Sequence, residues 1–434
     1  MAVLIAWLFF MLISGRGAIR MMFLITPFVS FMGAYALVSL FEYWRKSKEE
    51  ILKIALLIGF VVVLIILVVS LNSFVQASFF QAQNTGPSAN TQWQEAMQWV
   101  RENTEEGSIF VHWWDYGYWV QYLGERPSLT DGGHRVGYWD HLTGRYLLTT
   151  TNPDSALSFM KSHNISYLLI DPTDIGKYPA YSRIGSGPDM QDRVSHIPVM
   201  NKIPEQTQET SNKTLRVYQG GSYVDKDIYY ENNGQEIFLP KNKAVAAGVA
   251  LESSVKTQTI QLGNTTQDIT TGDITARGVY IYNGQQYQIP LRYVYYEGEI
   301  YESEEGINGT AYVLPKLTQT SGEFGSMQLD RFGSVIYLSP KVSESLVAQL
   351  YLMNDPHNRY PTLNISHKEH DPVVKMIKAQ GSSIGDFVNY RGFRGPIKFW
   401  NVDYPEDIIT RPEFLETSVP EEGYGSLDDL QFRE

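Results

Sequence analysis

The stretch ALLIGFVVVLIILVVSL, Ala55–Leu71, limits what this chain can fold into more than any other feature. It carries no charge, and its one polar side chain is Ser70. About 20 such residues cross the hydrocarbon core of a bilayer as a helix, where every backbone N–H and C=O must be satisfied within the segment. Leu52–Leu71 is therefore predicted to span a membrane, and Ile19–Phe41 predicts a second span. Ala2–Ser14 is also apolar. It lacks the basic start and the small-residue cleavage site of a signal peptide, so it reads as a span cut off at its beginning. The chain is accordingly expected to be the C-terminal part of a larger membrane protein. The loop EYWRKSKEEILK, before the last span, holds Arg45, Lys46, Lys48 and Lys53. Positive loops stay cytoplasmic, which puts everything after Asn72 on the extracytoplasmic side of a multi-pass protein of the cell membrane. Arg16 and Arg20 then sit at the outer end of the second span. A guanidinium there either snorkels to the headgroups or holds an anionic lipid headgroup.

The rest of the chain reads as soluble. Asn72–Asn90 is polar, includes Gly86, Pro87 and Ser88, and reads as a connector. Helical spacing of Trp93, Met97 and Val100 predicts a helix over Gln92–Asn103. SIFVHW (Ser108–Trp113), RPSLTD (Arg126–Asp131) and SYLLID (Ser166–Asp171) have the apolar texture of buried strands. Short helices are expected over Tyr118–Leu123 and from Pro153 to about His163, Pro153 serving as a first-turn residue. This alternation predicts an α/β domain over residues 73–220 with a parallel or mixed sheet, whose ligands collect beyond the carboxyl ends of the strands. Residues 221–340 change to alternating runs such as GVYIYNG and YQIPLRYVYYEGEIYE, separated by turn residues, which predicts an inserted or appended antiparallel β domain. A helix at Ser343–Met353 and a returning strand in GPIKFWNVDYP occupy residues 341–434. The expected fold is thus an α-helical membrane region (residues 1–72) followed by these soluble layers. The chain has 434 residues and no cysteine, which excludes disulfides and thiolate metal sites. A formal net charge of −12 argues against nucleic acid as a partner.

Chemistry concentrates in HWWDYGYW, His112–Trp119. Two indoles, Trp113 and Trp114, make a rigid apolar wall with one N–H donor each. Ionised Asp115 between aromatic rings is a strong acceptor for a hydroxyl. Gly117 allows a sharp turn or a close backbone approach. The combination suits a small hydroxyl beside an apolar group, as in Ser or Thr. An all-core reading of the aromatic cluster is the alternative.

Trp113-Trp114-Asp115-Tyr116-Gly117 resembles the signature of the catalytic subunit of oligosaccharyltransferases, the enzymes of N-glycosylation, in their archaeal form with a dolichyl-linked donor. RMMFLITPF, Arg20–Phe28, resembles the family's late transmembrane helix, whose arginine meets the donor phosphate. Asp174-Ile-Gly-Lys177 resembles its second pocket motif, Asp-x-x-Lys, and Arg394–Tyr404 its C-terminal strand. The sequence departs from the family at Tyr181, where Met or Ile is usual. Gly176 and Pro179 argue for a kinked or very short helix there.

The resemblance implies transfer of an oligosaccharide from a lipid-linked donor to the asparagine of Asn-X-Ser/Thr in acceptor polypeptides. It gives Trp113, Trp114, Asp115, Asp174 and Lys177 to the acceptor pocket, Tyr116 and Gly117 to its architecture, and Arg20 to the donor phosphate. It also implies a divalent metal, Mn2+ or Mg2+, with its carboxylate ligands outside this chain. No catalytic or metal-binding residue is expected within it, and Asp131 is read as structural. Sequons at Asn164, Asn212, Asn264, Asn308 and Asn364 are candidate glycosylation sites, with Asn164 expected to be inaccessible before its strand. The other readings are a non-catalytic split or relic subunit, and a membrane-anchored surface carbohydrate-binding protein.

Overall fold

The computed structural model describes residues 2–17, 23–189, 191–232, 234–262, 265–319, 327–382 and 384–421, with residues 423, 427, 430 and 432. It separates into two units, Met1–Ser88 and Ala89–Glu434.

The first unit is helical. Two helices are long and apolar enough to cross a membrane, Phe23–Lys46 and Glu50–Thr85. Ala2–Gly17 forms a shorter apolar helix. Arg20 falls outside the described residues. Glu50–Thr85 runs well past Leu71, so much of the expected connector is helix. Past Leu71 the helix meets no glycine or proline until Gly86, whose φ of +65° ends it in a conformation that glycine adopts without strain.

The second unit holds two sheets. The smaller has four strands and is mixed. Ile109–Val111 pairs parallel with Ile165–Ile170, Phe110 facing Tyr167. Ile397–Val402 adds antiparallel to Ile165–Ile170, and Leu363–Glu369 adds antiparallel beyond it. Because the first two strands run parallel, the turn after Val111 and the helix after Ile170 emerge at the same edge. RPSLTD is not a strand. It touches the sheet through a single bridge, Phe110 to Ser128, because Pro127 lacks the N–H that a ladder needs. Thr91–Asn103 forms the expected helix, capped by Asn90, whose side chain accepts the Trp93 N–H. Its buried Trp93, Ala96, Met97 and Val100 belong to the same core as Phe110, Trp113, Leu168 and Phe399.

The larger, eleven-stranded sheet begins at Val199–Lys202, earlier than the alternating texture announces. It is antiparallel except where Gln285–Tyr296 pairs parallel with Ile307–Gln319, and that pairing closes it into a barrel. A second parallel contact joins Lys316 to Asn389 from the C-terminal segment. Tyr218, Val249, Leu251, Tyr280, Val313 and Val335 fill the barrel. The helix expected at Ser343–Met353 is instead a short turn, Pro340–Ser343, followed by a wide π-helical segment, Val347–Leu352.

Candidate functional site

The chain leaves Val111 and turns at once. Trp113 is extended, Trp114–Tyr116 make one 3-10 turn, and Gly117–Tyr122 continue as a helix. Gly117 serves a close approach rather than an unusual dihedral: its φ is −53°, but a Cβ there would lie 2.4 Å from both Asp131 Cβ and the Thr130 carbonyl oxygen. Asp131 holds its own loop through Gly133 N–H and Gln121.

The aromatic residues divide between core and surface. Trp113 is fully buried, its ring 5.6 Å from that of Tyr181, and burial of that indole contributes about 3 kcal/mol. Tyr181 is itself buried and closes the wall where an aliphatic side chain was anticipated. Trp114 is half-buried, edge-on to His134 at 4.5 Å. Its Nε1 is buried and has no hydrogen-bond partner among the described residues. Asp115 beside it is 31% exposed, and its partner is Lys177, 3.2 Å from Oδ2.

Lys177 comes from the helix Thr173–Ile184, which starts at the same sheet edge. This helix runs through Pro179 without ending. Burial of Ile175, Tyr178, Tyr181 and Ser182 along it offsets the missing hydrogen bond. Lys177 Nζ also donates to Tyr116 Oη at 3.0 Å and lies 4.4 Å from that ring's centre. Tyr116 Oη contacts Asp174 Oδ1 and Thr173 Oγ1, each at 2.8 Å. Asp174 is completely buried, and burial followed by the charge of Asp171 pushes its carboxyl up to about 7. The structure thus gathers Trp113, Trp114, Asp115, Tyr116, Asp174 and Lys177 into one cluster.

Three members of the cluster were not anticipated. Asp171 accepts the Thr173 N–H at 2.7 Å and the Trp93 indole N–H at 2.9 Å, and Thr173 joins it to Tyr116. Asp-Pro-Thr at a strand end is a turn signal that could have marked Asp171; nothing in the sequence marks Trp93 as its partner.

His112 is buried under the turn, Nδ1 2.8 Å from the Trp113 carbonyl oxygen and Nε2 2.9 Å from Ser128 Oγ. Burial pushes its ring down to about 4 from an ordinary 6.5. Unfolding between these values takes up a proton, so the stabilisation is complete above pH 6.5 and is lost as pH falls toward 4. His163, also pushed down to about 4, adds to this slope, and the raised carboxyl of Asp174 opposes it, so the contribution of His112 is read as a difference. As pH falls from 6.5 to 4, the wild-type melting temperature is expected to drop relative to that of His112→Gln; a constant difference across the window would remove His112 as a source of pH dependence.

Among the described residues, no group of three or more His, Asp or Glu could hold a metal ion. Of the sequons, Asn164, Asn212, Asn308 and Asn364 are exposed, Asn164 contrary to expectation because a φ of +52° turns it out of the strand start. Asn264 lies outside the described residues. The hydroxyl of Thr310, in the Asn308 sequon, is buried against Ser343, so that sequon is not readable in the folded chain.

Residues 106–171 match the model of the STT3/PglB/AglB core domain. The chain is 31% identical over 170 residues to dolichyl-phosphooligosaccharide-protein glycotransferase 1 of Pyrococcus furiosus, and 34% identical over 173 residues to its namesake in Pyrococcus horikoshii. Each alignment takes in 39% of this chain, which covers 17% of the relative's length. Among solved structures, an archaeal oligosaccharyltransferase AglB from Archaeoglobus fulgidus superposes with a TM-score of 0.44 at 13% identity, over 92% of this chain and 42% of that one. The matched segment contains the whole Trp113–Gly117 turn and ends at Asp171. Over residues 106–171 the chain is thus similar to the STT3/PglB/AglB core domain, and over about 170 residues it is similar to archaeal glycotransferases of which it spans less than one fifth.

Proposed function

We propose that the chain forms part of an oligosaccharyltransferase and that its Trp113–Gly117 turn reads the Ser or Thr hydroxyl of an Asn-X-Ser/Thr acceptor. The observation that carries this reading is Asp115. It is a part-exposed carboxylate held from one side by Lys177, next to a Trp114 indole N–H with no partner among the described residues. A hydroxyl placed there can donate to Asp115 while its methyl meets the indole face. Two further facts support the reading: the turn lies inside the matched family segment, and the relatives' name describes a dolichyl-linked oligosaccharide donor and a protein acceptor.

In the transfer, the asparagine amide nitrogen bonds to the anomeric carbon and loses a proton. The bond from that carbon to the phosphate oxygen breaks, and the lipid phosphate leaves with the electron pair. Arg20 is proposed to hold that phosphate, at the outer face of a multi-pass membrane region with the soluble unit extracytoplasmic. The divalent cation, Mg2+ or Mn2+, enters the proposal with ligands from outside these residues; its chemistry is to offset charge on the amide and the departing phosphate.

The role of this chain is to select and orient the acceptor. In the assembled enzyme, Trp114→Ala is expected to abolish sequon glycosylation with the protein folded and abundant. Lys177→Ala should be milder, because it acts on the hydroxyl only through Asp115. An acceptor-glycosylation assay with circular dichroism checks both. Full activity in Trp114→Ala would sink the pocket assignment, and equal loss in both variants would sink the ranking.

A further inference from the structure

The oxygen contacts behind the turn outnumber the protons available if both carboxyls are ionised. Three are short: Asp174 Oδ1 to Tyr116 Oη at 2.8 Å, Tyr116 Oη to Thr173 Oγ1 at 2.8 Å, and Thr173 Oγ1 to Asp171 Oδ1 at 2.5 Å. Each is a hydrogen bond only with a proton between its oxygens, and two hydroxyls bring two protons. Lys177 does not make up the shortfall, because its N–H is spent on a lone pair of Tyr116 Oη. Oxygens this close without a proton repel, and Asp171, Asp174 and Tyr116 are buried, where an unmet polar contact is costly. The third proton must sit on a carboxyl. Asp171 already accepts N–H donors from Thr173 at Oδ1 and Trp93 at Oδ2, whereas Asp174 accepts one, from Asp171 at Oδ2. The better-solvated carboxylate keeps the charge, and that is Asp171.

We propose that Asp174 is a neutral acid whose Oδ1–H donates to Tyr116, which donates to Thr173, which donates to the Asp171 carboxylate, and that this relay positions Lys177 against Asp115.

With that assignment each of the three short contacts carries one proton, and the longer contact of Tyr116 Oη with Asp171 Oδ1, 3.3 Å, shares the Tyr116 proton with Thr173. Tyr116 Oη accepts from Asp174 and Lys177 and donates once, and Thr173 Oγ1 accepts once and donates once. Asp171 and Thr173 become positioning residues behind the pocket. The upward push on Asp174 from burial and from the charge of Asp171 acts in the same direction. Among the described residues, the groups facing the carboxyl pair are Lys177 and Tyr181 from the same helix, Tyr116 from the turn, and Tyr351 from Val347–Leu352. Burial pushes Tyr116, Tyr181 and Tyr351 up, so they stay neutral, and the charge that acts on the pair is that of Lys177, which Asp115 meets from its other side. When Asp174 ionises, the Asp174–Tyr116 and Tyr116–Thr173 contacts compete for one proton. A second buried negative charge then draws Lys177 inward, away from Asp115.

The proton on Asp174 stands on geometry alone; its effect on the acceptor rests on the sequon reading above. The test is an infrared difference titration of the full chain in detergent, wild type against Asp174→Asn, paired with affinity for an Asn-X-Thr peptide. The expected result is a protonated-carboxyl carbonyl band that disappears with a midpoint near 7 in the wild type and is missing in Asp174→Asn. Peptide affinity should fall about fivefold through that midpoint in the wild type. It should stay flat in Asp174→Asn, whose amide donates as the acid does. Asp171→Asn is the second variant: loss of its charge should bring the midpoint down toward the ordinary carboxylate range, even if Asp174→Asn folds poorly. A wild-type spectrum without that band below pH 7, or a midpoint that Asp171→Asn leaves in place, overturns the relay. A normal titration in a wild-type chain that binds no sequon peptide at any pH overturns the pocket reading and leaves the relay standing.

Discussion

Asp115→Ala in the assembled enzyme is expected to lower kcat/KM for an Asn-X-Thr acceptor about 100-fold while the melting temperature hardly moves. The two halves follow from different energies. A hydrogen bond from a hydroxyl to a carboxylate in an indole-walled site contributes about 1.5–3 kcal/mol, or roughly one to two powers of ten in rate. Among the described residues Asp115 pairs only with Lys177, and both side chains are about one-third exposed, at 31% and 30%. A solvent-screened pair of that kind stabilises by about 1 kcal/mol at most. Lys177 also keeps Tyr116 as a partner when Asp115 is removed. A large activity loss with an unchanged melt therefore marks Asp115 as a ligand-facing group. A parallel fall in melting temperature would make it a structural one.

Gly117→Ala should show the opposite pattern, with stability falling first. Alanine at the start of the helix Gly117–Tyr122 would ordinarily gain up to about 1 kcal/mol. Here its Cβ meets the Thr130 carbonyl oxygen and Asp131 Cβ at 2.4 Å, and Asp131 Cα at 2.6 Å. Neither a backbone oxygen nor a Cα can rotate away, so the loop Thr130–Asp131 or the turn must shift. Such overpacking costs about 3 kcal/mol, which outweighs the helix gain, and in a unit of this size a melting temperature lower by roughly 3 °C is expected. The shift would also move Asp115, so acceptor binding should weaken in the fraction that stays folded. Calorimetric melting decides the matter; an unchanged transition would mean that the loop yields freely and that Gly117 is not needed for the approach.

Local patterns made much of this architecture legible. Ile109–Val111 and Ile165–Ile170 are apolar runs bounded by turn residues, and their placement before WWDYG and DPTDIGK already implied a shared edge. The spacing of Trp93, Met97 and Val100 announces one helix, and Pro153, at the first turn, announces another. What the sequence hid was non-local. Closure of the barrel depends on a parallel pairing between Gln285–Tyr296 and Ile307–Gln319, and no single-strand pattern encodes it. RPSLTD has strand texture but lies beside Phe110 through one bridge, since Pro127 cannot extend a ladder. Asn72–Thr85 read as a connector because polar residues such as Asn72, Gln76 and Gln81 interrupt the apolar run ahead of the Gly86-Pro87-Ser88 turn signal, yet backbone bonding continues the helix until Gly86. At the site, the tryptophans, Asp115, Asp174 and Lys177 were visible as residue types at a spacing. Their division into a buried wall of Trp113 and Tyr181, an open Asp115 and a proton-sharing layer of Tyr116, Thr173, Asp174 and Asp171 needed coordinates.

The central claim is that Asp115 reads a hydroxyl on the acceptor, and the most direct measurement is a double-mutant cycle across protein and peptide. Wild-type and Asp115→Ala enzymes would each be assayed with Asn-X-Thr and with Asn-X-Val, which has nearly the same shape but no hydroxyl. A site built around that hydroxyl should strongly favour the threonine peptide in the wild type. Asp115→Ala is expected to lose most of this preference, bringing the two peptides close to equal at a low rate. A variant that still preferred Asn-X-Thr as strongly as the wild type would contradict it, and would place hydroxyl recognition on another group.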